Sequence, residues 1–181
     1  MDALDDSRSD QALIDAAGAG EQAAFDVLYA RHRQWVYRLA FRFTGHEEDA
    51  WDVHQETFLY LAGKIPGLHL RASLKTLLYT VVRSLAIRAN KKRRRLVLGE
   101  ELLAAIPAQE SDQPADDLRE VLGGLELASR QVLLMRYVDD LSLDEIAQVL
   151  GIPLGTVKSR LHHAHQKVRS SPRLCRYFDL S

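Results

Sequence analysis

The amino-acid pattern predicts an all-α protein of two small helical domains joined by an acidic linker, the C-terminal one a helix-turn-helix. Three observations carry that prediction. Apolar residues recur at steps of three and four along most of the 181 residues, and no stretch shows convincing strand alternation. Gly- and Pro-containing breaks punctuate the periodic segments. Residues 96–115, LVLGEELLAAIPAQESDQPA, lose the periodicity and turn acidic, with two prolines. The chain is long enough for one ordinary domain or two small ones, and the linker divides it into residues 10–95 and 116–171.

The elements follow in order. Leu13, Ile14, Ala16 and Ala17 mark a short helix stopped by Gly18 and Gly20. Phe25, Leu28, His32, Trp35, Leu39 and Phe43 lay a broad apolar stripe along a long helix ended by Gly45. Ala50, Val53, Phe58 and Leu61 mark a third helix. Gly63, Pro66 and Gly67 then break the pattern, so residues 63–72 read as a loop, and the next helix spans Ser73–Arg95 with Leu74, Leu78, Val81 and Leu85 on its buried side. Beyond the linker, helices are expected near Asp116–Leu127, Ser129–Val138, Ser142–Leu150 and Pro153–Arg169, with the short connections of compact helical domains.

Composition narrows the function classes. With 46% hydrophobic and 27% charged residues the chain is globular rather than disordered. The single cysteine, Cys175, excludes an internal disulfide framework and fits a reducing, cytoplasmic compartment. No run approaches the length of a membrane span, and the polar start MDALDDSRSD is unlike a signal peptide. The net charge of −1 conceals blocks of opposite sign: residues 1–60 carry net −7, 61–98 net +10 with no acid at all, 99–127 net −7, and 128–181 net +3. A block of ten cations without an anion points to a polyanionic partner such as nucleic acid.

The stretch LSLDEIAQVLGIPLGTVKSRLHHAHQKVR has the form of a helix-turn-helix. Ser142 and Glu145 have capping-box spacing, Gly151 suits the left-handed helix stop, and Pro153 suits the start of the next helix. In that second helix Val157, Leu161, Ala164 and Val168 face inward. At 100° per residue, Ser159, His162, His163 and Gln166 then lie about 140–240° away, on the face a major groove would meet. Lys158 and Arg160 flank that face, within reach of phosphates. Histidines 162, 163 and 165 with Cys175 raise a metal site, but no clear third ligand stands at structural spacing and Cys175 lies beyond Pro172, so no metal is assigned.

These residues, with the upstream LREVLGGLELASRQVLLMRYVDDLS, resemble the promoter-binding C-terminal domain of ECF-type sigma factors of bacterial RNA polymerase. The resemblance implies that Thr156–Arg169 is the helix reading the minus-thirty-five element. EEDAWDVHQETFLYL is similar to the same family's core-binding segment, and implies that Asp49, Asp52, Gln55, Glu56 and Phe58 dock on the polymerase clamp. Independently, residues 49, 52 and 56 step by three and four and line up three carboxylates. The helix Ser73–Arg95 and the loop before it correspond to the family's minus-ten reading element. Thr76, Tyr79, Thr80, Arg83, Ile87 and Asn90 are read as its outer face, followed by Lys91, Lys92, Arg93, Arg94 and Arg95. Tyr79 would stack on an unpaired base while Arg83 and the basic run hold phosphates, and the loop would enclose an extruded base. The chain departs from the family at Leu77-Leu78, Ser84 and Arg88, and at Trp51, His163 and His165.

The resulting expectation is a sigma factor that binds core RNA polymerase and directs promoter-specific initiation, needs no cofactor, and answers to an anti-sigma protein. No phosphate-binding glycine loop, nucleophile motif or metalloprotease signature argues for an enzyme. Two other readings fit the same residues: a sigma-like adaptor that sequesters an anti-sigma protein, and a free-standing helix-turn-helix regulator.

Overall fold

The computed structural model describes residues 6–92 and 122–169. The chain divides into two compact units, residues 1–97 and 98–181. The first holds α1 (Asp10–Gly18), α2 (Gln22–Thr44), α3 (Glu47–Lys64) and α4 (Leu74–Lys92); the second holds α5 (Leu127–Tyr137), α6 (Leu143–Leu150) and α7 (Leu154–Arg169). No strand occurs among the described residues, and no helix among them is long and apolar enough to cross a membrane. Of the helix expected near Asp116–Leu127, Leu122 and Gly123 fall among the described residues as helix, and Leu127 already opens the next one; the linker 96–115, Arg93, Arg94 and Cys175 lie outside the described residues.

In the first unit α2 is the central post, packed by α1, α3 and α4, while α3 also packs on α4. Leu28, His32, Trp35, Leu39 and Phe43 form its buried stripe, as their spacing requires. Phe25 is only half-buried at the edge. Each fully buried leucine here contributes roughly 2–3 kcal/mol relative to exposure. Gly45, at φ 68°, stops α2 in the left-handed conformation and donates its N–H to the Phe41 carbonyl. Asn90 closes the same end from α4, its Nδ2 donating to the Phe43 carbonyl at 2.8 Å.

The first helix is fastened by polar contacts as well as by Leu13 and Ile14, which are fully buried. Ser9 caps it through the Ala12 N–H. Asp10 bonds His32 at 3.0 Å and Arg31, whose other nitrogen takes the carbonyls of Asp6 and Arg8. Gly63 and Lys64 belong to α3, so the loop is shorter than the glycine signal implied. It opens with a turn over Ile65–Leu68, in which Pro66 and a left-handed Gly67 (φ 85°) occupy the positions that type II turns give those residues.

In the second unit all three helices pack on one another. Arg130 is buried in the first turn of α5 and its Nη2 donates to the carbonyls of Gly123 and Leu125, holding the approach turn. Arg136 Nη1 donates to the Leu141 carbonyl and ties α5 to the entry of α6.

Candidate nucleic-acid interface

The α6–α7 corner is built by local chemistry. Ser142 Oγ accepts from the Glu145 N–H, and the Glu145 carboxylate accepts from the Ser142 N–H at 2.8 Å, so both halves of the capping box form. Gly151 adopts φ 64°; its N–H bonds the Gln148 carbonyl and the Ile152 N–H bonds the Ala147 carbonyl, the paired bonds of a Schellman stop. The Pro153 carbonyl accepts from Thr156 and Val157 and starts α7.

Val157, Leu161, Ala164 and Val168 are buried, and Lys158, Ser159, His162, His163 and Gln166 are exposed on the opposite side, with Thr156 and Arg160 half-buried at the edges. This helix presents a continuous polar ridge with cations at its margins, the surface that enters a major groove in a helix-turn-helix. On this ridge His162 and Gln166 pair at 3.0 Å, ring nitrogen to amide nitrogen. His165 turns away from that ridge: its ring bonds the Tyr137 hydroxyl of α5 at 3.0 Å, and burial, with the charges of Arg169 and His162, holds it below the ordinary histidine value. Among the described residues no three His, Cys, Asp or Glu side chains gather to hold a metal ion.

The outer face of α4 differs from the sequence reading. Tyr79 is buried, only 2% exposed; its ring meets Phe43 edge-on at 5.8 Å and its hydroxyl accepts from Arg42 at 3.4 Å. It cannot stack on an unpaired base. Thr76 and Asn90 are buried as well, and Val82 takes the core place expected for Val81, which is half-buried. The cause is packing on two partners: α4 lies against both α2 and α3, so its buried arc is wider than the single stripe that spacing assigns. Thr80, Arg83, Ser84, Ile87, Arg88 and Lys91 remain exposed on α4, with Arg88 bordering the groove shared with α3. Lys92 ends the described helix; Arg93 and Arg94 lie outside it.

The third helix separates its candidate residues. Asp49, Asp52 and Glu56, joined by Glu48, line a groove of about 520 Å³ between α3 and α4, closed on the far side by Leu85, Arg88 and Ala89. Arg88 reaches Glu56 at 3.7 Å across it. Gln55 sits on the other flank, in an apolar groove with Tyr29, Trp51 and Leu59. Phe58, expected as a docking residue, is 6% exposed: it packs edge-on against Tyr29 at 4.7 Å and His54 at 5.1 Å and forms part of the floor of that apolar groove. The exposed apolar surface belongs instead to Leu59, 71% exposed, with Trp51 and Tyr60 beside it. Sequence reasoning passed over Leu59; its signal was position, one helical turn beyond Gln55 and three residues beyond Glu56.

A helix-turn-helix with a polar recognition ridge, together with a helical unit that bears an acidic groove beside a cationic strip, defines a DNA-binding regulator with a second, protein-facing surface. Residues 28–96 match the family described as Sigma-70 region 2, and residues 115–168 match Sigma-70, region 4. The chain is similar to the ECF sigma factor SigL of Mycobacterium tuberculosis, 32% identical over 167 residues that cover 87% of this chain and 94% of the relative. It is similar also to SigW of Bacillus subtilis, 29% identical over 171 residues, 85% of this chain and 91% of that one. Among solved structures, CnrH in complex with the cytosolic domain of CnrY is 25% identical with a TM-score of 0.62, covering 96% of this chain and 99% of that one. The sigma factor RpoE of Bartonella quintana, solved with the anti-sigma factor NepR, shares the fold at 20% identity and a TM-score of 0.54, over 87% and 98% of the two chains. This chain belongs to the ECF branch of the sigma-70 family, and is a promoter-directing sigma factor.

Proposed function

We propose that this chain works as a non-catalytic cytoplasmic subunit in which the two faces of α3 dock on core RNA polymerase, the strip and loop of α4 hold the melted minus-ten region, and the α7 ridge reads the minus-thirty-five element. The observation that carries this reading is the order and separation of surfaces: an acidic groove with a neighbouring apolar one, then a cationic strip, then a recognition helix. Carboxylates of the groove suit a basic partner surface, and Leu59 with Trp51 supplies the apolar area that protein docking needs. Arg83 and Lys91 suit single-stranded phosphates, and Lys158 and Arg160 suit duplex phosphates. Likeness to CnrH, solved with the cytosolic domain of CnrY, supports a further protein partner.

The test is co-purification with bacterial core polymerase followed by run-off transcription. Wild type should bind and give discrete start sites. The double variant D52A/E56A should lose most core binding while folding normally, because both side chains are exposed. Wild-type binding by the double variant would remove the acidic groove from the docking surface. Tight duplex binding without polymerase would instead mark a free-standing regulator, and no initiation at all a sigma-like adaptor.

A further inference from the structure

The loop between α3 and α4 is held from below by a single side chain. Gln11, on the outer side of α1, uses its amide as a peptide group would: Oε1 accepts from the Leu70 N–H at 2.8 Å, and Nε2 donates to the Leu68 carbonyl at 3.1 Å. Its second donor goes to Asp15 Oδ1 at 2.8 Å. A carboxylate accepts only, so Asp15 fixes which end of the amide carries the nitrogen, and the clasp has one orientation. Farther along α1, a Cβ at Gly18 would lie 3.4 Å from the Ile65 carbonyl oxygen, so that helix also backs the start of the loop.

The two groups that Gln11 takes flank residue 69. His69 itself is exposed, between half-buried Leu68 and Leu70. The clasp therefore draws the loop's inner edge onto α1 and turns residue 69 outward. The first helix does not depend on this clasp for its own place, since Ser9 caps it, Asp10 binds His32 and Arg31, and Leu13 and Ile14 are buried against the unit.

We propose that Gln11 is a positioning residue for minus-ten selectivity: it holds the 65–72 loop in the shape that presents His69 to an extruded base, without touching DNA itself. This inference rests on the reading of that loop as a nucleic-acid contact. A short loop with few bonds of its own samples many shapes, and two hydrogen bonds to a fixed helix remove most of them before DNA arrives.

The experiment uses the full chain bound to bacterial core polymerase, with a promoter library randomised across the minus-ten and minus-thirty-five elements and the run-off transcripts sequenced. Q11A should flatten base preference within the minus-ten element by roughly tenfold, as expected for two lost hydrogen bonds. Preference at minus-thirty-five and core binding should stay near wild type and the melting temperature should fall by only about 5–10 °C, the loss expected from the clasp alone and smaller than a general loss of packing would give. Q11E keeps an acceptor for Leu70 but loses the donor to Leu68 and to Asp15 and sets its carboxylate against that of Asp15, so it should flatten the preference at least as much as Q11A. H69A should flatten the same positions as Q11A. Wild-type preference in Q11A with loss in H69A overturns the positioning role while leaving the loop reading intact. Wild-type preference in both variants overturns the loop reading, and the inference with it.

Discussion

The exposed faces of α4 and α7, which we propose both meet nucleic acid, are built on different terms. The seventh helix is packed from one side by α5 and α6, and so frees a wide ridge from Lys158 to Gln166. The fourth helix is wedged against α2 and α3, and frees the strip Thr80, Arg83, Ser84, Ile87, Arg88 and Lys91. A helix with one packing side can read a duplex through its own side chains. In the proposed reading, a helix packed on two sides leaves more of the recognition to the loop that leads into it, which is where Gln11 acts.

The largest expected effect breaks that comparison at its core. Tyr79→Ala should destabilise the first unit by about 3–5 kcal/mol, the range for emptying a buried aromatic site, whereas Arg83→Ala should leave stability within about 0.5 kcal/mol. Urea unfolding of both variants decides it; a small loss at Tyr79 would mean that the ring is not in the core. Next in size, Lys158→Ala should weaken promoter binding about tenfold across sequences and reduce the slope of log affinity against log salt by about 1, as for one lost phosphate contact. An unchanged slope in a salt titration would remove Lys158 from the backbone contacts.

Smaller again, Gly151→Ala should cost about 1 kcal/mol. The added methyl group meets nothing within 4 Å, so the whole cost comes from holding alanine at φ 64°. A neutral result in thermal unfolding would show that the corner relaxes. The mildest effect is with pH. Burial holds His54 below the ordinary histidine value, assisted by the Arg33 charge and opposed by the Arg33 backbone, and His165 is lowered likewise. Both folded values lie below the unfolded one, so the unfolded chain binds protons first as pH falls below about 6.5, and stability should decline from there and stay flat above it. Stability that rises on acidification would contradict the buried placement of both rings.

How far the sequence reached varies by residue. Ser142, Glu145 and Gly151 signal a corner that depends on groups within five residues of one another, and the structure forms it as spaced. Val157, Leu161, Ala164 and Val168 were legible for the same reason, since one packing side turns period into face. Tyr79, Asn90 and Phe58 were not. A tyrosine beside cations looks alike whether its ring meets DNA or Phe43, and nothing local separates the two cases. Phe58 belongs to a cluster with Tyr29, on a different helix, and that neighbour is invisible until α2 and α3 are side by side. Gln11 gave no signal at all, because its partners lie 57 and 59 residues away.

By itself, then, the sequence determined the helices, their caps and stops, the helix-turn-helix and its ridge, and through its motifs the sigma-70 family. These rest on bonds within a turn or two of chain and on apolar periods, which are written in neighbouring residues. Tertiary structure alone decided which face of α4 is free, that α3 has an acidic flank and an apolar one, that Phe58 is core while Leu59 is surface, and that α1 clasps the loop. Those outcomes depend on how many partners each helix packs against and from which side, quantities that no single segment encodes.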